Sequence, residues 1–82
     1  MKHKASDKLV ELMSLSSGRD FTIFEIYKIV RQPPHRADIT ATEAYTSCSR
    51  YIAEAREGLR RLGFVLAKGD LRNSYRACKR KR

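Results

Sequence analysis

The side chains of greatest chemical reach in this 82-residue chain are cations crowded into its last third. Residues 56 to 82 carry ten Lys and Arg against only Glu57 and Asp70, whereas residues 1 to 55 carry eight cations and seven acids and are close to balance. Just upstream of the basic third stand three small hydroxyls and an arginine, Thr46, Ser47, Ser49 and Arg50, in a stretch of helical character. A guanidinium is a planar fork that pairs with a two-acceptor edge, a lysine is a point charge, and a small hydroxyl bonds at short range. Lys68, Arg72, Arg76 and the run Lys79, Arg80, Lys81, Arg82 can neutralise an anion by charge, and Arg50 can address one by geometry.

Other chemistry is poorly represented. No Ser/His/Asp, Cys/His, paired-carboxylate or phosphate-loop arrangement is present, so the expectation is a protein that is not an enzyme and needs no cofactor. Cys48 and Cys78 lie thirty residues apart with no CxxC and no histidine pair nearby, which argues against a metal site and for two reduced, half-buried thiols. His3, near the start, and His35, beside Pro33-Pro34, are expected to lack partners. Asp7, Lys8 and Glu11 interrupt any signal-peptide core in the first residues, and no run approaches transmembrane length. A soluble cytoplasmic protein with no membrane partner is expected. The net charge of +9 directs it toward polyanions.

The elements that must position these groups follow from periodicity. A chain of this length is one domain, able to bury roughly 60–65% of its unfolded surface. "SDKLVELMSLSSG" predicts a first helix over about Asp7 to Ser16, with Ser6 as N-cap and Gly18 as its stop. "FTIFEIYKIVR" opens with the capping-box pair Thr22 and Glu25, with Phe21 placed to staple onto Ile26. Its apolar residues predict a second, deeply buried helix ended by Pro33-Pro34.

A second capping box, Thr40 and Glu43, opens a stripe of Tyr45, Cys48, Ile52, Ala55, Leu59 and Leu62 at alternating spacings of three and four, which a single helix to Leu62 accounts for. A break at Ser47 to Ser49 is the competing arrangement. Opposite the stripe lie Glu43, Thr46, Arg50, Ala53, Glu57 and Arg61. Arg50 with Glu54, and Glu57 with Arg61, stand at i,i+4, the spacing of a solvated charged face. Arg60 and Arg61 can also complement the helix end, and Tyr45, Tyr51 and Tyr75 read as packing residues. After the Gly63 stop, Phe64 to Ala67 and Ser74 to Cys78 predict two strands around a loop holding Gly69, Asp70 and Asn73. Lys79 to Arg82 follow residues 1–78 as a basic tail with nothing apolar to bury.

Three helices and then a hairpin give a mainly α (α+β) fold class. The phrase "SRYIAEAREGLRRLGFVLAKGDLRNSYRAC" fills the last two elements, with a Leu-x-x-Leu-Gly-Phe helix end and a basic hairpin closing on Tyr75-Arg76. From about Phe21 to Cys78 the chain resembles a winged helix-turn-helix domain. The resemblance implies a third helix in the major groove of duplex DNA, a wing on phosphates or the adjacent minor groove, and a transcriptional regulator of phage- or plasmid-like size, associated with the nucleoid when bound. Arg50 would then pair with guanine O6 and N7, with Thr46, Ser47 and Ser49 as short donors, and Lys68, Arg72 and Arg76 on phosphates. A homodimer is open, since the third helix's heptad-like spacing permits a seam. The alternatives are a module that docks on a protein of the transcription or replication machinery, and an RNA-binding module.

Overall fold

Residues 5–31 and 34–79 are described by the structure, a computed structural model. The elements run α1 (Ala5–Leu15), β1 (Phe21–Thr22), α2 (Ile23–Val30), α3 (Ala41–Arg61), β2 (Phe64–Lys68) and β3 (Ser74–Lys79). Three helices thus stand against a three-stranded antiparallel sheet in the order β1-β3-β2. No helix among the described residues is long and apolar enough to cross a membrane.

Local chemistry sets two of the three helix starts. Thr22 accepts from the Glu25 N–H at 3.2 Å, and the Glu25 carboxylate returns to the Thr22 N–H, so a reciprocal box opens α2. Thr40 and Glu43 repeat the arrangement at α3, with both bonds at 3.2 Å. α1 differs from expectation. It is already helical at Ala5, so Ser6 is no N-cap but a buried residue within the helix. α2 also stops sooner than the prolines require, with Arg31 extended and its N–H on the Tyr27 carbonyl; Pro33 lies outside the described residues. His35 does find partners: its ring donates to the Arg31 carbonyl at 2.9 Å and meets Tyr27 edge-on at 5.6 Å.

The long third helix is continuous through Ser47 to Ser49, and Ala44, Cys48, Ile52, Ala55 and Leu59 all face inward. Against this stripe pack Leu9 and Met13 of α1 and Ile23, Ile26, Tyr27 and Val30 of α2. α1 comes close because Gly58 has no side chain; a Cβ there would lie 2.8 Å from a methyl of Val10. On its flank, Phe64 and Leu66 of β2 and Ala77 of β3 complete the core.

The hairpin is longer than expected by one residue on each strand, and Lys79 is the last residue of β3, opposite Phe64, instead of the first residue of a tail. Arg80, Lys81 and Arg82 lie outside the described residues. β1 is an addition. Phe21 and Thr22 pair with Tyr75 and Ser74, making β3 the middle strand.

Candidate nucleic-acid interface

α3 presents outward everything its apolar stripe does not use. Its start is fixed from upstream as well as by its cap: Arg36 reaches Glu43 at 2.8 Å and Asp38 at 3.3 Å. The Thr40 N–H, ahead of the Arg36 guanidinium and the Thr40 hydroxyl, holds the Glu43 carboxyl below its ordinary range and keeps the box ionised. Arg50 is exposed and has no hydrogen bond or ion pair among the described residues. The i,i+4 pairs with Glu54 and between Glu57 and Arg61 do not close.

The hydroxyls are less free than the guanidinium. Thr46 Oγ1 donates to the Thr42 carbonyl at 3.0 Å and Ser49 Oγ to the Thr46 carbonyl at 3.4 Å. Their protons are spent on the helix, so what they offer a ligand is an acceptor lone pair, not the donor expected. Ser47 is half-buried on the edge of this face.

Sheet register decides which hairpin cations join α3. Successive strand residues point to opposite faces. Tyr75 and Ala77 face the core, and their register partners Lys68 and Leu66 share that side. The Tyr75 ring meets Tyr45 of α3 edge-on, centroids 6.2 Å apart, which ties the first turns of α3 to the strand ends nearest the hairpin tip. Burial, then Tyr45, push the Tyr75 hydroxyl up; Arg56 opposes, so its charge reaches the same spot. Lys68 therefore stands beside α3. Arg72 is exposed in the turn that follows and has no ion pair among the described residues.

Arg76 is the exception to the expected set. Its register partner is Ala67, and both point to the opposite face of the sheet from Lys68. There its Nε donates to Asp20 at 2.7 Å and its Nη2 to Asp70 at 2.8 Å, leaving the side chain only 26% exposed. The Asp20 carboxyl is held below its ordinary range, first by the Leu71 N–H at 2.8 Å, with burial opposing and Arg76 adding. Arg76 is thus committed to an internal pair and sets the shape of the hairpin. Lys79 sits opposite Phe64, at the hairpin's base, about 14 Å along the strand from Lys68.

Two arginines missing from the expected set belong to the surface. Arg56 and Arg60 stand one turn apart and, with Glu57 between them, form one wall of a shallow groove whose other wall is Phe64, Val65 and Leu66. A signal for them exists: Thr42, Thr46, Ser49, Ala53, Arg56 and Arg60 recur at spacings of four and three, a second stripe on the side of α3 toward the sheet.

Arg50, Arg56, Arg60, Lys68 and Arg72 are all exposed and none is paired with a carboxylate among the described residues, with Glu57 standing among the arginines of α3. These cations can attract an extended polyanion and present four unpaired guanidinium forks to it. Comparison with family models, with curated proteins and with solved structures finds no match to this chain.

Proposed function

We propose that this chain binds duplex DNA as a winged helix-turn-helix domain and acts as a regulator of transcription. α3 enters the major groove, where Arg50 pairs bidentately with a guanine, and Thr46 and Ser49 accept from base amino groups. Arg56, Lys68 and Arg72 neutralise phosphates on either side. Three helices followed by a hairpin packed beside the third support the reading. The observation that carries it is that the start of α3 and the strand ends nearest the hairpin tip adjoin, through Tyr45 and Tyr75, and that α3 and the hairpin bear cations with no carboxylate partner among the described residues.

Selection of bound sites from random duplex DNA, followed by titration of variants on the selected and a scrambled duplex, tests this. Arg50→Ala is expected to cost about 1–3 kcal/mol on the selected duplex and to relax preference at one base pair, with little change on the scrambled one. Arg72→Ala is expected to weaken both alike and to flatten the salt dependence by about 0.9 in log–log slope. Failure of the wild-type chain to enrich any sequence would overturn the reading.

A further inference from the structure

We propose that Leu71, at the hairpin tip, is a wedge that enters the minor groove and opens one base-pair step. The inference rests on the duplex-DNA reading and adds a specificity-determining residue to it. Leu71 is 57% exposed, in the turn between β2 and β3 and next to the free Arg72.

What separates Leu71 from an ordinary surface leucine is the way its backbone is held. Its N–H donates to Asp20 Oδ2 at 2.8 Å, and its carbonyl accepts from Ser74 Oγ at 2.5 Å. Asp20 is in turn gripped by Arg76 and only 10% exposed. The turn is anchored further where the Ile23 N–H, at the start of α2, donates to the Asn73 carbonyl at 2.8 Å. Gly69 leaves the room this requires, since a Cβ there would lie 2.6 Å from the Asp20 carboxylate. With its N–H and carbonyl both bonded, the backbone of Leu71 is held in place, and its side chain stands 57% exposed. Its apolar surface stays in water until a partner covers it.

A branched apolar side chain on a rigid tip, beside a guanidinium and within a basic surface, has the chemistry of a minor-groove wedge. Such residues insert between stacked base pairs and kink the duplex, at a cost in stacking that a mobile loop would add to. Arg72 meets the strongly negative potential of the groove. Asp70, the acid beside it, is bonded to Arg76 at 2.8 Å but is 90% exposed and shares that one cation with Asp20, so Arg72 must offset its charge at the groove. The cost of opening is least at TA and CA/TG steps, so the chain should prefer such a step at a fixed offset from the bases that α3 contacts, although no side chain there reads a base edge.

The test uses the full chain and the selected duplex, with 2-aminopurine placed singly at each adenine beyond the α3 site and binding followed separately by anisotropy. On binding, emission is expected to rise several-fold at one step only. Leu71→Ala should abolish the rise and erase an approximately tenfold preference for TA over GG at that step, while Leu71→Phe should retain both. Binding without any rise in emission, or a rise that survives Leu71→Ala, overturns the wedge and leaves the DNA reading standing. Absence of binding to any duplex overturns both.

Discussion

Gly58 is where α1 and α3 come closest, and its replacement by alanine sets two effects of known sign against each other. In a helix interior the change should stabilise by about 1 kcal/mol, because glycine gives up more backbone freedom on folding. Here the new methyl would stand 2.8 Å from Val10 Cγ2, a contact that must yield. Valine is stiff about its first torsion, so relief requires α1 to shift, and overpacking of this kind costs about 1–3 kcal/mol. The net expectation for Gly58→Ala is a loss of roughly 0–2 kcal/mol.

Val10→Ala removes the offending methyl, and its ordinary-contact neighbour at 3.6 Å, at a cost of about 1 kcal/mol for a half-buried side chain. In that background Gly58→Ala should become stabilising by about 1 kcal/mol, or roughly 4–8 °C in melting temperature for a domain of this size. Urea unfolding of the four proteins gives the interaction energy, expected at about 1–3 kcal/mol. Additivity within about 0.5 kcal/mol would refute close packing as the reason for glycine. Duplex affinity should be unchanged in every folded member, since Gly58 faces α1 and not the basic surface.

Thr40→Ala removes the acceptor of the Glu43 N–H and should lower stability by about 1 kcal/mol, read from urea unfolding by circular dichroism. The folded Asp20 carboxyl is depressed, so its contribution is present above the ordinary carboxylate pKa and is lost as pH falls through the folded value; the gap in melting temperature between wild type and Asp20→Asn should therefore narrow from roughly pH 4 downward. A gap constant from pH 7 to pH 3 would show that the carboxylate charge is not what holds the tip. Cys48 is fully buried and its thiol is pushed up by desolvation, whereas Cys78 is half-buried. Mass spectrometry after brief alkylation should find label at Cys78 alone in the native protein and at both thiols in urea.

What was legible in the sequence is what is local. Thr22 with Glu25 and Thr40 with Glu43 are three apart, so both caps could be read directly, and both are present. Spacing also gives the middle of the inward stripe of α3, Cys48, Ile52, Ala55 and Leu59, but not its ends: Leu62, the C-cap, is 59% exposed, Tyr45 is half-buried, and the buried residue of the first turn is Ala44. Ser6 misled because it has the chemistry of a cap, while the packing of α1 on α3 carries the helix past it. β1 is two residues long, too short for any alternation to register, and exists only because β3 lies beside it. Arg76 could not be withdrawn from the basic set without Asp20, its partner 56 residues away. Arg56 and Arg60 were visible as a stripe, but only the position of β2 shows that this side of α3, as well as the face opposite the core, borders the hairpin cations.

The strand order β1-β3-β2 puts the last strand in chain order at the centre of the sheet. During synthesis, Phe21 must wait for Tyr75 before it has a neighbour, and Leu66 must wait for Ala77. Until then Phe64 and Leu66 have a helix to lean on but no ladder, and Leu9, Met13 and Ile26 have only part of their cover. Closing contacts between residues so far apart is slow relative to forming helices, so helix formation should precede a late step that completes the sheet. The same step brings Arg76 to Asp20 and fixes the tip. A chain halted before Ser74 would carry α3 and its arginines, but nothing to hold them against a hairpin.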